Sequence, residues 1–215
     1  MADKVPQSAR IADGFYLISF GFVAMYVFDA GDCLIAFDAG MRPATLLAEF
    51  AKLGLDPSRV RHVFLTHSDM DHTGGLSALA NAQVYLSRDE LPMVTRKVAR
   101  FFTFIFNKPL AAGYQTLGDG EERSVGNARI RSLTTPGHTP GSMSFLINEK
   151  LLIAGDILNL DKGKAVMDRA MINMNKIQRK DSIRKIARLS GISLLCTMHS
   201  GFTADFPGAM KDWQE

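Results

Sequence analysis

Short apolar runs separated by Gly, Pro and Asp turns dominate the first forty residues. Residues 14–20, 23–29 and 33–38 predict three strands, with Ala30-Gly31-Asp32 as a hairpin turn. Pro43 then opens a predicted helix whose Leu46, Leu47, Phe50 and Leu53 share one face, and Gly54 ends it. A strand at 60–66 runs into a polar loop, a helix through Leu76 and Leu79, and a short strand at 83–86. The segment 88–113 departs from this rhythm. It reads as helical in its first half and carries Phe101, Phe102, Phe104, Ile105 and Phe106 before a break at Pro109. From Gly126 the strand pattern returns at 128–134, 142–148 and 151–154. A helix from about Asp181 to Leu189 follows, with Ile183, Ile186 and Ala187 inward and Lys185 and Arg188 outward. A last strand at 193–197 leads to His199. Two blocks of strands, each followed by helices, predict an α/β (α+β) fold in which two mixed sheets pack face to face with helices outside. No repeat or linker divides residues 1–215, so we expect one domain with a Phe-rich insertion or lid at about 88–113.

Composition narrows this picture slightly. A hydrophobic fraction of 47% with 22% charged residues is ordinary for a globular chain, and a net charge of +3 is too mild to argue for nucleic acid. The basic residues gather at 96–108 and 176–188, and the second group reads as the solvated face of its helix. No apolar segment follows a basic start at the N-terminus, and the greasy stretch 15–28 is too short to span a bilayer. We therefore expect a cytoplasmic protein without a membrane partner. Cys33 and Cys196 are expected to be buried free thiols.

Chemistry concentrates in residues 66–72, Thr-His-Ser-Asp-Met-Asp-His, directly after the apolar run Val63-Phe64-Leu65. His67, Asp69, Asp71 and His72 fall within six positions. An extended backbone would point 67, 69 and 71 to one side. So many ionisable groups beside a buried strand need cationic compensation, and a metal centre is the simplest form of it. Three further residues share this character. His138 lies in Pro136-Gly137-His138-Thr139-Pro140-Gly141, Asp156 ends the run Leu151 to Gly155, and His199 ends the last strand. His62, at the start of a strand, reads as an ordinary structural histidine.

In this order the residues resemble the metallo-β-lactamase fold superfamily, with its His-x-His-x-Asp-His motif, distant His, bridging Asp and final His. Phe37-Asp38-Ala39-Gly40 is similar to the family's Asp-x-Gly turn. The resemblance implies a four-layer αββα sandwich and two divalent metal ions, zinc first and manganese or iron as alternatives. His67 and His138 would help to hold one ion, and Asp71, His72 and His199 the second, with Asp156 bridging. Asp38 would support the ligand loop. The chain departs from the pattern at Asp69, which stands where the family has its second histidine. As a ligand, Asp69 would harden the site towards manganese or iron and raise the pKa of a bound water above about 7. If its shorter side chain fails to reach, that half is weak or empty.

The implied activity is a metal-dependent hydrolase using a metal-bound hydroxide on an ester, lactone or thioester, with Asp71 orienting the hydroxide or taking its proton. With sixteen residues after His199, we expect neither the helical domain of glyoxalase II enzymes nor the inserted domain of RNA-cleaving members. A small-molecule substrate is expected rather than nucleic acid. The Phe101 to Phe106 cluster is either an apolar wall over the metal edge or a packing surface, including one for a homodimer. Three further alternatives stay open: a mononuclear-iron persulfide dioxygenase using His67, Asp69 and His138, electron transfer from a di-iron centre to a flavin partner, and a metal-depleted binding protein.

Overall fold

The computed structural model describes residues 2–102, 104–110, 113–167 and 172–214. The first sheet contains, side by side in chain order, β1 (Ala9–Ala12), β2 (Phe15–Ser19), β3 (Ala24–Asp29), β4 (Leu34–Phe37), β5 (Val60–Phe64), β6 (Gln83–Ser87) and β7 (Tyr114–Leu117). Neighbours from β1 to β4 are antiparallel, whereas β4 to β7 run parallel. The change coincides with α1 (Pro43–Lys52), because a parallel return needs a crossover rather than a tight turn. Downstream lie two single helical turns, α2 (Met70–Thr73) and α3 (Leu91–Val94).

The second sheet takes β8 (Glu122–Val125), β9 (Ala128–Thr134), β10 (Met143–Ile147) and β11 (Leu151–Ile153). A small hairpin, β12 (Asn159–Asp161) and β13 (Lys164–Val166), and α4 (Lys176–Ala187) come next, followed by β14 (Leu194–Thr197), β15 (Gly201–Thr203) and α5 (Phe206–Met210). The spatial order is β15-β14-β11-β10-β9-β8, so β14 inserts parallel to β11.

Period-two alternation sorts the apolar side chains into three cores. Phe15, Leu17, Tyr26, Ile35, Phe37 and Phe64 meet Ile130, Met143, Phe145, Ile153 and Cys196 between the sheets. The other face of the first sheet buries Val27, Leu34, Val63 and Leu65 against Leu46 and Phe50 of α1. The outer face of the second sheet buries Leu146, Leu152 and Leu195 under Ile183, Ile186 and Phe206. Four layers result, and strands covered on both faces explain why the apolar runs look nearly continuous.

Several expectations change. Leu47 is 44% exposed although Leu46 and Phe50 are buried, since the covered stripe follows the i, i+4 row. The predicted helix through Leu76 and Leu79 shrinks to α2 and a 3-10 turn, Leu76–Leu79. Helix α4 starts at Lys176, capped by Asn175, whose side-chain oxygen accepts from the backbone N–H groups of Ile177 and Gln178. Its basic face is not uniformly solvated, because Arg179 is buried. Strands β1, β7, β8, β12, β13 and β15 and helix α5 went unread; each is short. Cys33 and Cys196 are buried and unpaired, as expected. Among the described residues no helix is long and apolar enough to cross a membrane.

Phe64, the last residue of β5, stacks on Tyr85 with ring centroids 4.6 Å apart and meets Phe145 of the opposite sheet at 5.4 Å. It locks the strand that delivers the polar loop. Phe64→Ala is expected to cost about 3–5 kcal/mol of stability, measured by denaturant unfolding.

Candidate metal centre

Beyond Phe64 the backbone leaves the sheet but stays pinned to both layers. Leu65 N–H donates to Tyr85 O (2.8 Å) in the first sheet, and Met143 N–H of the second donates to Thr66 O (2.8 Å). The chain then turns into α2 at Met70. His67 and Asp69 therefore sit on irregular backbone while Asp71 and His72 lie on a helical turn, so the expected extended alternation does not describe this loop. The turn fits because Gly74 and Gly75 follow it. A Cβ at Gly74 would stand 2.0 Å from Met41 O, and one at Gly75 2.1 Å from Ala39 O. Among the other contributing segments, His138 comes from the β9–β10 loop, Asp156 from the turn after β11, and His199 from the β14–β15 connection.

All seven residues singled out in the sequence converge at this sheet edge. The Nε2 atoms of four histidines surround one carboxylate oxygen, Asp156 Oδ2, at 3.0 Å (His199), 3.4 Å (His72), 3.6 Å (His138) and 4.0 Å (His67). Asp71 Oδ2 lies 3.6 Å from His72 Nε2 and 3.5 Å from His199 Nε2. Ligand atoms of Asp71, His72 and His199 all fall within 4.8 Å of one another, as do those of His67, His72 and Asp156 and those of His67, Asp69 and His138. His62 stays apart in β5, bonded to the Tyr85 hydroxyl at 3.2 Å.

Hydrogen bonds behind the rings decide which nitrogen faces inward. His72 Nδ1 donates to Asp38 Oδ2 (2.7 Å), His138 Nδ1 to Asn173 Oδ1 (2.9 Å), and His199 Nδ1 to the Phe22 carbonyl (2.8 Å). Thr66 Oγ1 donates to Asp38 Oδ2 (2.8 Å) and accepts from His67 Nδ1 (3.0 Å). Asp38 thereby sets two imidazoles at once, as the resemblance implied, from a left-handed backbone position (φ 63°) that a short polar side chain tolerates. In the neutral rings that a metal requires, each Nε2 carries the lone pair, and all four are turned towards the centre. His67 Nε2, His72 Nε2 and Asp156 Oδ1 are buried and have no hydrogen-bond partner among the described residues. Orphaned buried acceptors of this kind fit a cation.

The two halves fit one differently. In the Asp71, His72, His199 half, two carboxylates (Asp71 and Asp156) face two imidazoles. Burial opposes charge on Asp156, yet the positive His199 and His72 hold its carboxyl well below the usual range. Against the effect of burial, Asp156 and Asp38 push His72 up, and Asp156 together with the Phe22 carbonyl pushes His199 up to about 9. In the other half, Asp69 is not the uncompensated carboxylate the sequence suggested. Arg100 Nε donates to both its oxygens at 2.8 Å, and Nη2 lies 2.8 Å from Oδ2. Nη2 also donates to His138 Nε2 at 3.0 Å, while burial keeps His138 below its ordinary value. Burial works against the charge of Asp69, but His67, His138 and Arg100 together hold it far below the carboxylate range.

Three supporting residues were missed. Glu90, buried, accepts from Ser68 N–H (2.9 Å), Ser68 Oγ (2.6 Å), Thr139 Oγ1 (2.8 Å) and Gly141 N–H (3.0 Å), tying the two histidine loops together. Arg179 donates to the carbonyls of Ile157 (2.7 Å) and Asp156 (3.1 Å) and fixes the Asp156 turn. Arg100 is the third, and the Phe-rich pattern around it was the sole hint. That segment divides. Phe101, Ile105 and Phe106 line a cavity of about 810 Å³ with Phe22, Met70 and Ile172, above Asp71, Asp156 and His199. Phe102 and Phe104 point away, 82% and 70% exposed.

A sandwich of two sheets with imidazoles and carboxylates gathered at one edge defines a metal-binding class of αββα proteins. The match of the metallo-beta-lactamase superfamily model to residues 18–191 places the chain in that superfamily. It is 27% identical over 190 residues to a lactamase-like protein of Aspergillus niger, covering 87% of this chain and 53% of the relative. An atrochrysone carboxyl ACP thioesterase of Claviceps purpurea is 28% identical over 70% of this chain and 41% of its own length. The chain thus spans about half the length of these curated relatives. Among solved structures, a B3 metallo-beta-lactamase with an active-site glutamic acid superposes with a TM-score of 0.75 at 24% identity, covering 97% of this chain and 86% of that one. A metallo-beta-lactamase family protein of Thermus thermophilus gives 0.71 at 24%, covering 94% and 78%. These likenesses show the fold.

Two outcomes are expected. Asp38→Asn removes the acceptor that sets His67 and His72, and zinc affinity should fall about 10–100-fold in a competition titration against a chromophoric chelator. In the metal-free protein, the raised His199 contributes stability in full below the ordinary imidazole value. That contribution is lost as pH rises through about 9, which a thermal melt series from pH 6 to 10 reads directly.

Proposed function

We propose that this protein is a metal-dependent hydrolase of acyl thioesters, with esters and lactones as related substrates. The observation that carries the reading is the set of orphaned or inward-turned acceptors of His67, His72, His199 and Asp156 beneath a cavity with apolar walls. Asp71, His72, His199 and Asp156 would hold a divalent ion, zinc first and manganese or iron as alternatives. Bound there, such an ion acidifies a water and polarises an acyl oxygen.

The remaining work falls to the chain. Asp71, with its side chain 24% exposed and lining the cavity, is placed to take the water's proton as the water oxygen bonds to the acyl carbon. The carbon–sulfur bond then breaks, and the leaving sulfur departs with the proton that Asp71 took from the water, returning the carboxylate. Phe22, Met70, Phe101, Ile105, Phe106 and Ile172 offer an apolar berth for the acyl chain. Arg96 and Lys108, both exposed and on the same cavity, suit an acidic, phosphate-bearing thiol arm. Relatives named as an ACP thioesterase, a zinc-dependent polyketide-biosynthesis hydrolase and a metallo-hydrolase support this direction. The expected two-ion centre divides on its ligands: one half is free to ligate, the other is engaged by Arg100. That engagement also counts against an iron dioxygenase built on His67, Asp69 and His138, and the intact other half counts against a non-catalytic binding protein.

The test is a panel of acyl thioesters, aryl esters and acyl lactones offered to zinc- or manganese-loaded protein. Thioester turnover is expected, abolished by a chelator and restored by the metal. His72→Ala should cost more than the roughly 10–100-fold typical of losing a residue that supports a ligand from behind. Loaded protein that turns over none of the three substrate types would overturn the proposal.

A further inference from the structure

The guanidinium of Arg100 is buried inside the ligand set of the first half. It does not approach from outside like a surface ion pair. The Arg100 side chain is 3% exposed, and its polar contacts are specific: both Asp69 oxygens, His138 Nε2, and Ile172 O from Nη1 at 2.6 Å. The Phe101 ring lies beneath it, 4.5 Å from centroid to Cζ. Asn107 Nδ2 adds a further donor to Asp69 Oδ1 at 3.0 Å.

Valence makes this arrangement exclusive. With Nδ1 donating to Asn173, the Nε2 of a neutral His138 has one lone pair, and it accepts from Arg100. The same lone pair cannot also ligate an ion. Asp69 in turn has both oxygens committed to a fork that matches a carboxylate. Charge points the same way. The centre's three carboxylates, Asp69, Asp71 and Asp156, are balanced by one guanidinium and one divalent ion, and Asp38, hydrogen-bonded behind the rings, stands outside that balance. A second dication would have to sit within a few ångströms of a permanent cation.

From this we infer that Arg100 is the resident cation of the first half of the centre, anchored by Asp69, so that the protein holds a single divalent ion in the Asp71, His72, His199 and Asp156 half. Asp69 is an anchor for a side chain instead of a metal ligand. Arg100 is a positioning residue: it orients His138 and supplies positive charge to the cavity floor without being exchangeable. The inference deepens the hydrolase reading and rests on its ion in the Asp71 half.

Elemental analysis of protein saturated with zinc and then desalted tests it. Wild-type protein should retain one equivalent, and the Asp69→His/Arg100→Ala double variant, with its guanidinium gone and three imidazoles in that half, should retain two. Two equivalents in the wild type, none in the wild type, or one in a folded double variant overturns the inference. Should the double variant fail to fold, wild-type protein saturated with manganese decides by electron paramagnetic resonance. An isolated six-line spectrum supports a single ion, and an exchange-coupled pair refutes it. Neither readout uses turnover: one equivalent without catalysis defeats the hydrolase reading alone, and two equivalents with catalysis defeat this inference alone.

Discussion

Two buried carboxylates, Asp38 and Glu90, hold irregular loops at the edge of a rigid sandwich by accepting hydrogen bonds from them. Backbone amides, hydroxyls and one imidazole do the donating, with no lysine or arginine among the described donors. Asp38 takes the Thr66 N–H (2.7 Å), the Thr66 hydroxyl and the His72 ring, and Glu90 takes four donors from the Ser68 and Thr139–Gly141 segments. A buried carboxylate is costly unless donors saturate it, so the loops must close on these oxygens or leave them stranded. That necessity converts flexible connections into a preorganised ligand set. The aromatic packing of Phe64 against Tyr85 and Phe145 supplies the stiff floor against which the loops are pulled.

Electrostatics then differentiates two halves that look alike in outline. Around Asp71 and Asp156, acid groups and imidazoles neutralise one another: Asp156, with Asp38 behind the ring, drives His72 up, Asp156 drives His199 up, and both imidazoles hold Asp156 down. Around Asp69 the same kind of carboxylate has its counter-charge supplied by the chain. Replacing a neutral imidazole by a carboxylate is therefore coupled to a buried arginine brought from 31 positions away. Neither change makes physical sense alone.

Most of the architecture and the convergence of the seven candidate residues could be read from the chain because both depend on local signals. Alternation with period two marks the sheets, and Gly-rich or Pro-rich breaks after apolar runs mark the loops carrying His67, His138 and Asp156. What escaped was non-local. Glu90 looks like any acid opening a helical turn, and its partners lie 22 to 51 positions away. Arg179 sits in a run of basic residues that reads as a solvated face, yet it reaches back to the Asp156 backbone. Asp69 was judged by what its neighbours in sequence could offer, and its true partner comes from the Phe-rich segment. The heptad's backbone was misjudged too: the chain leaves the extended conformation at Met70, so Asp69 and Asp71 serve different halves of the centre instead of one side.

Arg100 and the apolar wall formed by Phe101, Ile105 and Phe106 belong to one stretch of chain. The length and shape of what enters the cavity and the polarity of its floor are consequently heritable as a unit. Exchanging this stretch between relatives would transplant selectivity and charge together, whereas altering the wall piecemeal risks dislodging the guanidinium it carries. Diversification of such a pocket should proceed by whole-segment replacement more readily than by scattered point changes.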